Sequence, residues 1–145
     1  MSLDLLAYRI PNNPSVEELG KFNSLKSDAK KSMGFVLTNF YATKHFAFEA
    51  KDNFRFEPDE YNLHLNDQQP ISISKSRYIN QGKRALELMP ELGIKKVVLS
   101  RIKTCAFDTT NYWELYTQLC DSYPKAFVYL MSSPQFGTWI GATPE

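Results

Sequence analysis

Ala126-Phe127-Val128-Tyr129-Leu130-Met131 leads into Ser132-Ser133-Pro134-Gln135-Phe136 and then Gly137-Thr138-Trp139-Ile140-Gly141-Ala142. An apolar run of strand length, a turn with proline, and a second strand-length run opening on glycine spell a β-hairpin. This stretch decides the fold class, because a hairpin forces antiparallel pairing. The remaining strand-like runs sit mostly beside turns rather than beside crossover helices. The class expected is therefore α+β, with a mainly antiparallel sheet and helices packed on it.

Working back from the hairpin, residues 111–123 form a helix closed by Pro124, with Trp113, Leu115, Tyr116 and Leu119 on its apolar side. Residues 94–107 read as a strand. The best helix starts at Ser74 or Ser76. Tyr78, Ile79, Gly82, Ala85, Leu86, Leu88 and Met89 recur along it near helical spacing, and Pro90 with Gly93 ends it. Residues 51–70 mix polar, aromatic and turn residues and read as a mobile loop. Residues 45–50 alternate Phe46, Phe48 and Ala50 with Ala47 and Glu49, as a half-buried strand does, and residues 34–41 form another strand. Ser15-Val16-Glu17-Glu18 fits a capping box, so a short helix is expected to about Leu25. Residues 3–10 form a first strand, stopped by Pro11-Asn12-Asn13-Pro14.

The chain has 145 residues, 43% of them hydrophobic and 14% aromatic, which is one domain's worth of core-forming sequence and excludes a disordered or disulfide-stapled chain. A formal charge of +1 without a basic block argues against nucleic acid or a membrane surface as partner. Lys30-Lys31 reads as a solvated face. Cys105 and Cys120 have no metal spacing and read as reduced, partly buried thiols. No apolar run is long enough to span a bilayer, and Met1-Ser2-Leu3-Asp4 does not open a signal peptide. Cytoplasm is the expected location. His45 and His64 lack ligand spacing, and no phosphate loop, dinucleotide fingerprint or nucleophile elbow occurs.

Two places offer chemistry. Lys96-Val97-Val98-Leu99-Ser100-Arg101 places a lysine at the head of an apolar strand, and Lys96, Val98 and Ser100 share one face, opposite Lys95, Val97, Leu99 and Arg101. Strand-entrance lysines are ordinarily solvated. A lysine becomes a base when apolar surroundings disfavour its charged form, and Val97, Val98 and Leu99 could supply them. The other place is Glu145, behind Pro144 at the end of the hairpin strand, where a carboxylate could donate a proton.

Taken together, the residues from Tyr78 to Glu145 resemble the chorismate-binding enzymes, and their isochorismate synthase branch most of all. The resemblance rests on the helix at 78–92, on Lys96-Val97-Val98-Leu99-Ser100-Arg101, on Tyr123-Pro124 with Phe127-Val128-Tyr129-Leu130, and on residues 137–145. Leu6-Ala7-Tyr8-Arg9-Ile10-Pro11 and Gly34-Phe35-Val36 look like the family's variable N-terminal part. Isochorismate and salicylate synthases carry lysine at the head of this strand. Relatives that use ammonia typically carry glutamine there. Lys96 thus implies water as the nucleophile, with Lys95 the weaker counterpart.

The resemblance implies further that Lys96 and Glu145 are the catalytic base and acid. It implies chorismate as substrate and Mg²⁺ as cofactor, with its ligands in a C-terminal half that does not belong to these residues. Thr143 stands where the family has serine before Pro-Glu. On this reading residues 1–145 are a single partial domain, the N-terminal part of the anthranilate synthase component I-like fold, and inactive alone. The product would feed menaquinone, by mild preference, or catechol siderophores. Competing readings are a salicylate synthase portion and a non-catalytic binding module that kept the half-fold.

Overall fold

The computed structural model describes residues 3–25, 34–52, 55–66 and 70–143. Two compact units emerge: Met1–Asn66 together with Asp108–Glu145, and Asp67–Phe107. The first is a six-stranded sheet, β1 (Asp4–Arg9), β2 (Val16–Leu25), β3 (Val36–Thr38), β4 (His45–Ala50), β5 (Phe127–Ser133) and β6 (Gly137–Thr143), with one helix on it. Their spatial order is β3-β4-β2-β1-β5-β6, and every pairing is antiparallel. The expected hairpin is β5–β6, in register from Phe127↔Thr143 to Ser133↔Gly137. The α+β class with an antiparallel sheet is what the protein adopts.

Successive side chains alternate across this sheet, so β1 serves two cores at once. Leu5 and Ala7 face one side with Leu19, Val128 and Leu130. Leu6 faces the other with Phe22 and Met131. The first side is covered by α2 (Tyr112–Ser122), which buries Tyr112, Tyr116 and Cys120 at i, i+4 and i+8. The apolar stripe is thus displaced from the one expected: Trp113 and Leu119 flank it, and Leu115 is only half-buried. Tyrosines can occupy the buried line because their hydroxyls find acceptors. Tyr112 Oη donates to Pro58 O at 2.7 Å and Tyr116 Oη to Ser15 Oγ at 3.2 Å. Arg9 Nη2 donates to Tyr123 O (2.6 Å) and Ala126 O (3.3 Å), tying the end of α2 to β1. The second side is aromatic, with Phe22 edge-on to Phe48 and Phe136 at centroid distances of 5.0 and 4.9 Å.

The helix expected from Ser15 to Leu25 is instead β2. A cap contributes about 1 kcal/mol. As a strand, the segment buries Leu19 on one face and Phe22 on the other, each worth roughly 1.5–3 kcal/mol, and pairs with β1 and β4. A helix would have put both residues on one side. Ser15, the expected cap, serves Tyr116 instead. At the first residue of β1, buried Asp4 accepts the Phe22 N–H at 2.7 Å.

The segment expected to be a mobile loop is stitched down where it is described. Pro58–Glu60 forms a 3-10 turn, and Tyr61 Oη donates to Leu3 O at 3.0 Å. The His64 N–H donates to buried Ser132 Oγ (2.9 Å), and Thr138 Oγ1 donates back to His64 O (2.8 Å). Two cysteine expectations separate: both thiols are free, but Cys120 is buried and Cys105 exposed.

In the second unit α1 spans Lys75–Glu91, capped by Ser74, whose side chain accepts from Arg77 N. It ends in a Schellman motif, with Ile94 N to Met89 O at 2.9 Å and Gly93 N to Pro90 O at 3.3 Å, and Gly93 at φ +65°. The strand expected at 94–107 does not form. A strand needs a partner for its backbone groups, and no strand occurs among the described residues of this unit. The chain returns past α1, where Tyr78 Oη donates to Leu99 O (3.3 Å), and Ser72 Oγ, ahead of the helix, donates to Ile102 O (2.9 Å).

Two glycines predict opposite responses. A Cβ on Gly20 would stand 2.9 Å from Ala50 Cα and collide with the Glu49 carbonyl of β4. Gly20→Ala is therefore expected to cost about 2–3 kcal/mol by urea denaturation. A Cβ on Gly82 meets only Leu99 Cδ1 at 3.7 Å, inside a helix. Gly82→Ala should stabilise the second unit, by about 0.5–1 kcal/mol.

Candidate functional site

Lys96 lies in the second unit, in the irregular return after the Schellman turn, and is exposed like Lys95. The residues expected to shield it are open. Val97 is 41%, Val98 80% and Leu99 39% exposed. Leu99 is the best anchored, resting on Gly82 of α1 while its carbonyl accepts from Tyr78. The lysine therefore sits on an apolar ribbon that α1 backs on one side only. None of the described residues of this unit is buried.

Glu145 lies outside the described residues, together with Pro144. β6 leads toward it as far as Thr143, whose Oγ1 donates to Phe127 O at 3.3 Å. β6 belongs to the first unit. Among the described residues no group of three or more His, Cys, Asp or Glu could hold a metal ion. The described residues therefore supply no ready-made ligand cluster for Mg²⁺.

Residues 26–145 match the family model for chorismate binding enzyme. The chain belongs to the chorismate-binding enzyme family. No curated protein and no solved structure gives a significant match. The matched span takes in Lys96 and Glu145 but begins after β2, so the family signature leaves out the central strand β1. In this chorismate-binding chain no described helix is long and apolar enough to cross a membrane.

Sequence reading missed the tyrosine hydroxyls that pin residues 58–64 and α2 to the sheet. Tyr112 is pushed up to about 12, chiefly by burial, with the charges of Tyr61 and Asp59 adding to it. Burial likewise raises Tyr61, and Tyr116 well above the usual phenol range. Their only sequence signal was the Tyr112/Tyr116 spacing, which equally suits an ordinary apolar stripe. Asp108 is held low by hydrogen bonds from the backbone and hydroxyl of Thr110 at the entry to α2.

The tyrosines set an alkaline limit. A phenol raised in the folded state contributes stability that is fully present below its unfolded value, about 10. That contribution is lost as pH rises through the folded value, about 12 for Tyr112. Unfolding free energy measured in urea should hold steady to about pH 10 and fall toward pH 12. Tyr112→Phe should lower stability at neutral pH through the lost Pro58 bond and flatten the alkaline slope. An unchanged slope in that variant would remove Tyr112 as a cause.

Proposed function

We propose that this chain forms part of an isochorismate synthase, in which Lys96 and Glu145 work on opposite sides of one chorismate. The observation that supports the reading is the family match over residues 26–145, which includes the lysine-headed run 96–101 and the terminal Thr143-Pro144-Glu145. Lys96, in its unprotonated form, removes a proton from water as the oxygen attacks C2 of the ring. Both double bonds of the ring shift, the C4–O bond breaks, and Glu145 gives its proton to the departing hydroxyl, which leaves as water. One hydroxyl is added and one lost, so substrate and product are isomers. Ammonia-using relatives need no such lysine, which is why Lys96 favours water.

Mg²⁺ belongs to this proposal as a cofactor whose ligands come from outside the described residues. On this proposal a C-terminal partner segment supplies them, and the 145-residue chain by itself is expected to leave chorismate unchanged. Turnover by that chain alone in Mg²⁺ buffer would contradict this. In a complete enzyme carrying this sequence, products resolved by chromatography decide the branch. Isochorismate without pyruvate supports the proposal, whereas salicylate with equimolar pyruvate moves it to salicylate synthase. Lys96→Ala should lower kcat by roughly 10²–10⁴ while the protein stays folded, as loss of a general base does. Retention of full turnover would remove Lys96 from the chemistry and favour a binding role for this half-fold.

A further inference from the structure

On the aromatic side of the sheet, between the β3–β4 turn and the β5–β6 hairpin, lies a cavity of about 460 Å³. That volume lies within the range of small-molecule pockets. Its walls are Phe46, Tyr129, Met131, Phe136 and Trp139, all in the first unit. The strand register explains the wall: Met131 pairs with Trp139 across β5–β6, which brings their side chains to one face. Trp139 is 55% exposed, yet its indole is fixed, because Nε1 donates to Phe136 O at 2.9 Å. A large, held aromatic ring left open to solvent is a surface prepared for a flat partner.

The polar groups of the cavity are few and most are engaged. Asn39 is spent on its own turn, where Oδ1 accepts from Thr43 N and Lys44 N at 2.8 and 2.9 Å. Thr38 Oγ1 pairs with His45 Nδ1 at 3.1 Å. Gln135 Nε2 donates to Phe22 O at 2.5 Å, which orients the amide and leaves Oε1 as an acceptor. Lys44 is the one charged residue on the lining, and the Asn39 turn holds its backbone in place. The cavity thus offers flat apolar walls, one cation, one amide acceptor and the Tyr129 hydroxyl.

We propose that this cavity binds a small planar aromatic carboxylate bearing a hydroxyl, of the hydroxybenzoate class. The ring packs on Trp139 and Phe46, the carboxylate pairs with Lys44, and the hydroxyl donates to Gln135 Oε1. A dianion lacks a second cation here, and a neutral hydrocarbon would leave Lys44 and Gln135 unpaired against it. The site uses first-unit residues only and is independent of Lys96, so its failure and the failure of the proposed reaction are separate events.

The test follows the two tryptophan indole N–H resonances of the ¹⁵N-labelled 145-residue chain, each assigned by Trp→Phe substitution, during titration with 4-hydroxybenzoate. Trp139 should shift with saturation on the order of 0.1–1 mM, a fair affinity for so few heavy atoms. Trp113, on the opposite side of the sheet, should stay still. Lys44→Glu, an exposed turn substitution, should weaken binding at least about tenfold, and Lys44→Arg should retain it. Benzoate should bind more weakly than 4-hydroxybenzoate. The proposal is overturned if Trp139 does not move at about ten times the expected concentration, if both indoles move together, or if Lys44→Glu binds as well as the unaltered chain. Equal affinity for benzoate would overturn the Gln135 contact.

Discussion

The sheet depends on one strand with no solvent face. Leu5, Leu6 and Ala7 of β1 are fully buried, Leu6 toward one core and its neighbours toward the other. β1 is also paired on both edges, with β2 and with β5. Its register with β5, Leu6↔Met131 and Ala7↔Leu130, joins the two ends of the sequence. Such non-local pairing is entropically demanding, since the loop between must close before any burial rewards it. Everything else in the first unit is arranged around it. β2 extends the sheet toward β4 and β3, the β5–β6 hairpin extends it the other way, and α2 covers one side.

This arrangement explains what could be read from the sequence and what could not. The β5–β6 hairpin, β4 at residues 45–50 and α1 with its Ser74 cap and Gly93 stop were legible because local chemistry and final context agree there. β2 was not, because its local signal, Ser15 with Glu18, is a helix start. The deciding factor is a pair of cores on opposite sides that no local window contains. The run 94–107 failed for the opposite reason. Its composition is that of a strand, but within its own unit it meets a helix and not a sheet edge. For the site, the resemblance to the chorismate-binding enzymes named Lys96 and Glu145, since residue type and spacing alone suit solvated side chains at both places. The aromatic cavity with Lys44 was invisible, since β3, β4, β5 and β6 meet there only after the sheet has formed.

The two units differ in how they are held. The first has buried residues on both sides of its sheet. The second has a well-capped helix and an apolar return, with Ile71, Leu86 and Val98 largely exposed. Capping and a few hydrogen bonds supply a few kcal/mol at most, against an ordering cost of about 1–2 kcal/mol per residue. Local interactions alone therefore do not account for the order of the residues that carry Lys96. Exposed apolar patches of this kind ordinarily mark surfaces that become covered.

Coverage has a chemical consequence. A lysine acts as a base only where its surroundings disfavour the ammonium, and apolar burial is the usual means. Val97, Val98 and Leu99 are the right residues to supply it, but as described they line an open ribbon. The proposed chemistry therefore needs the apolar neighbours of Lys96 to be enclosed by further structure. The enclosure that would complete the core of the second unit is the same one that would turn a surface lysine into a general base. Folding and catalysis would then depend on the same residues. It is therefore physically reasonable that the run proposed to carry the base lies in a stretch, residues 94–107, whose described side chains are all exposed.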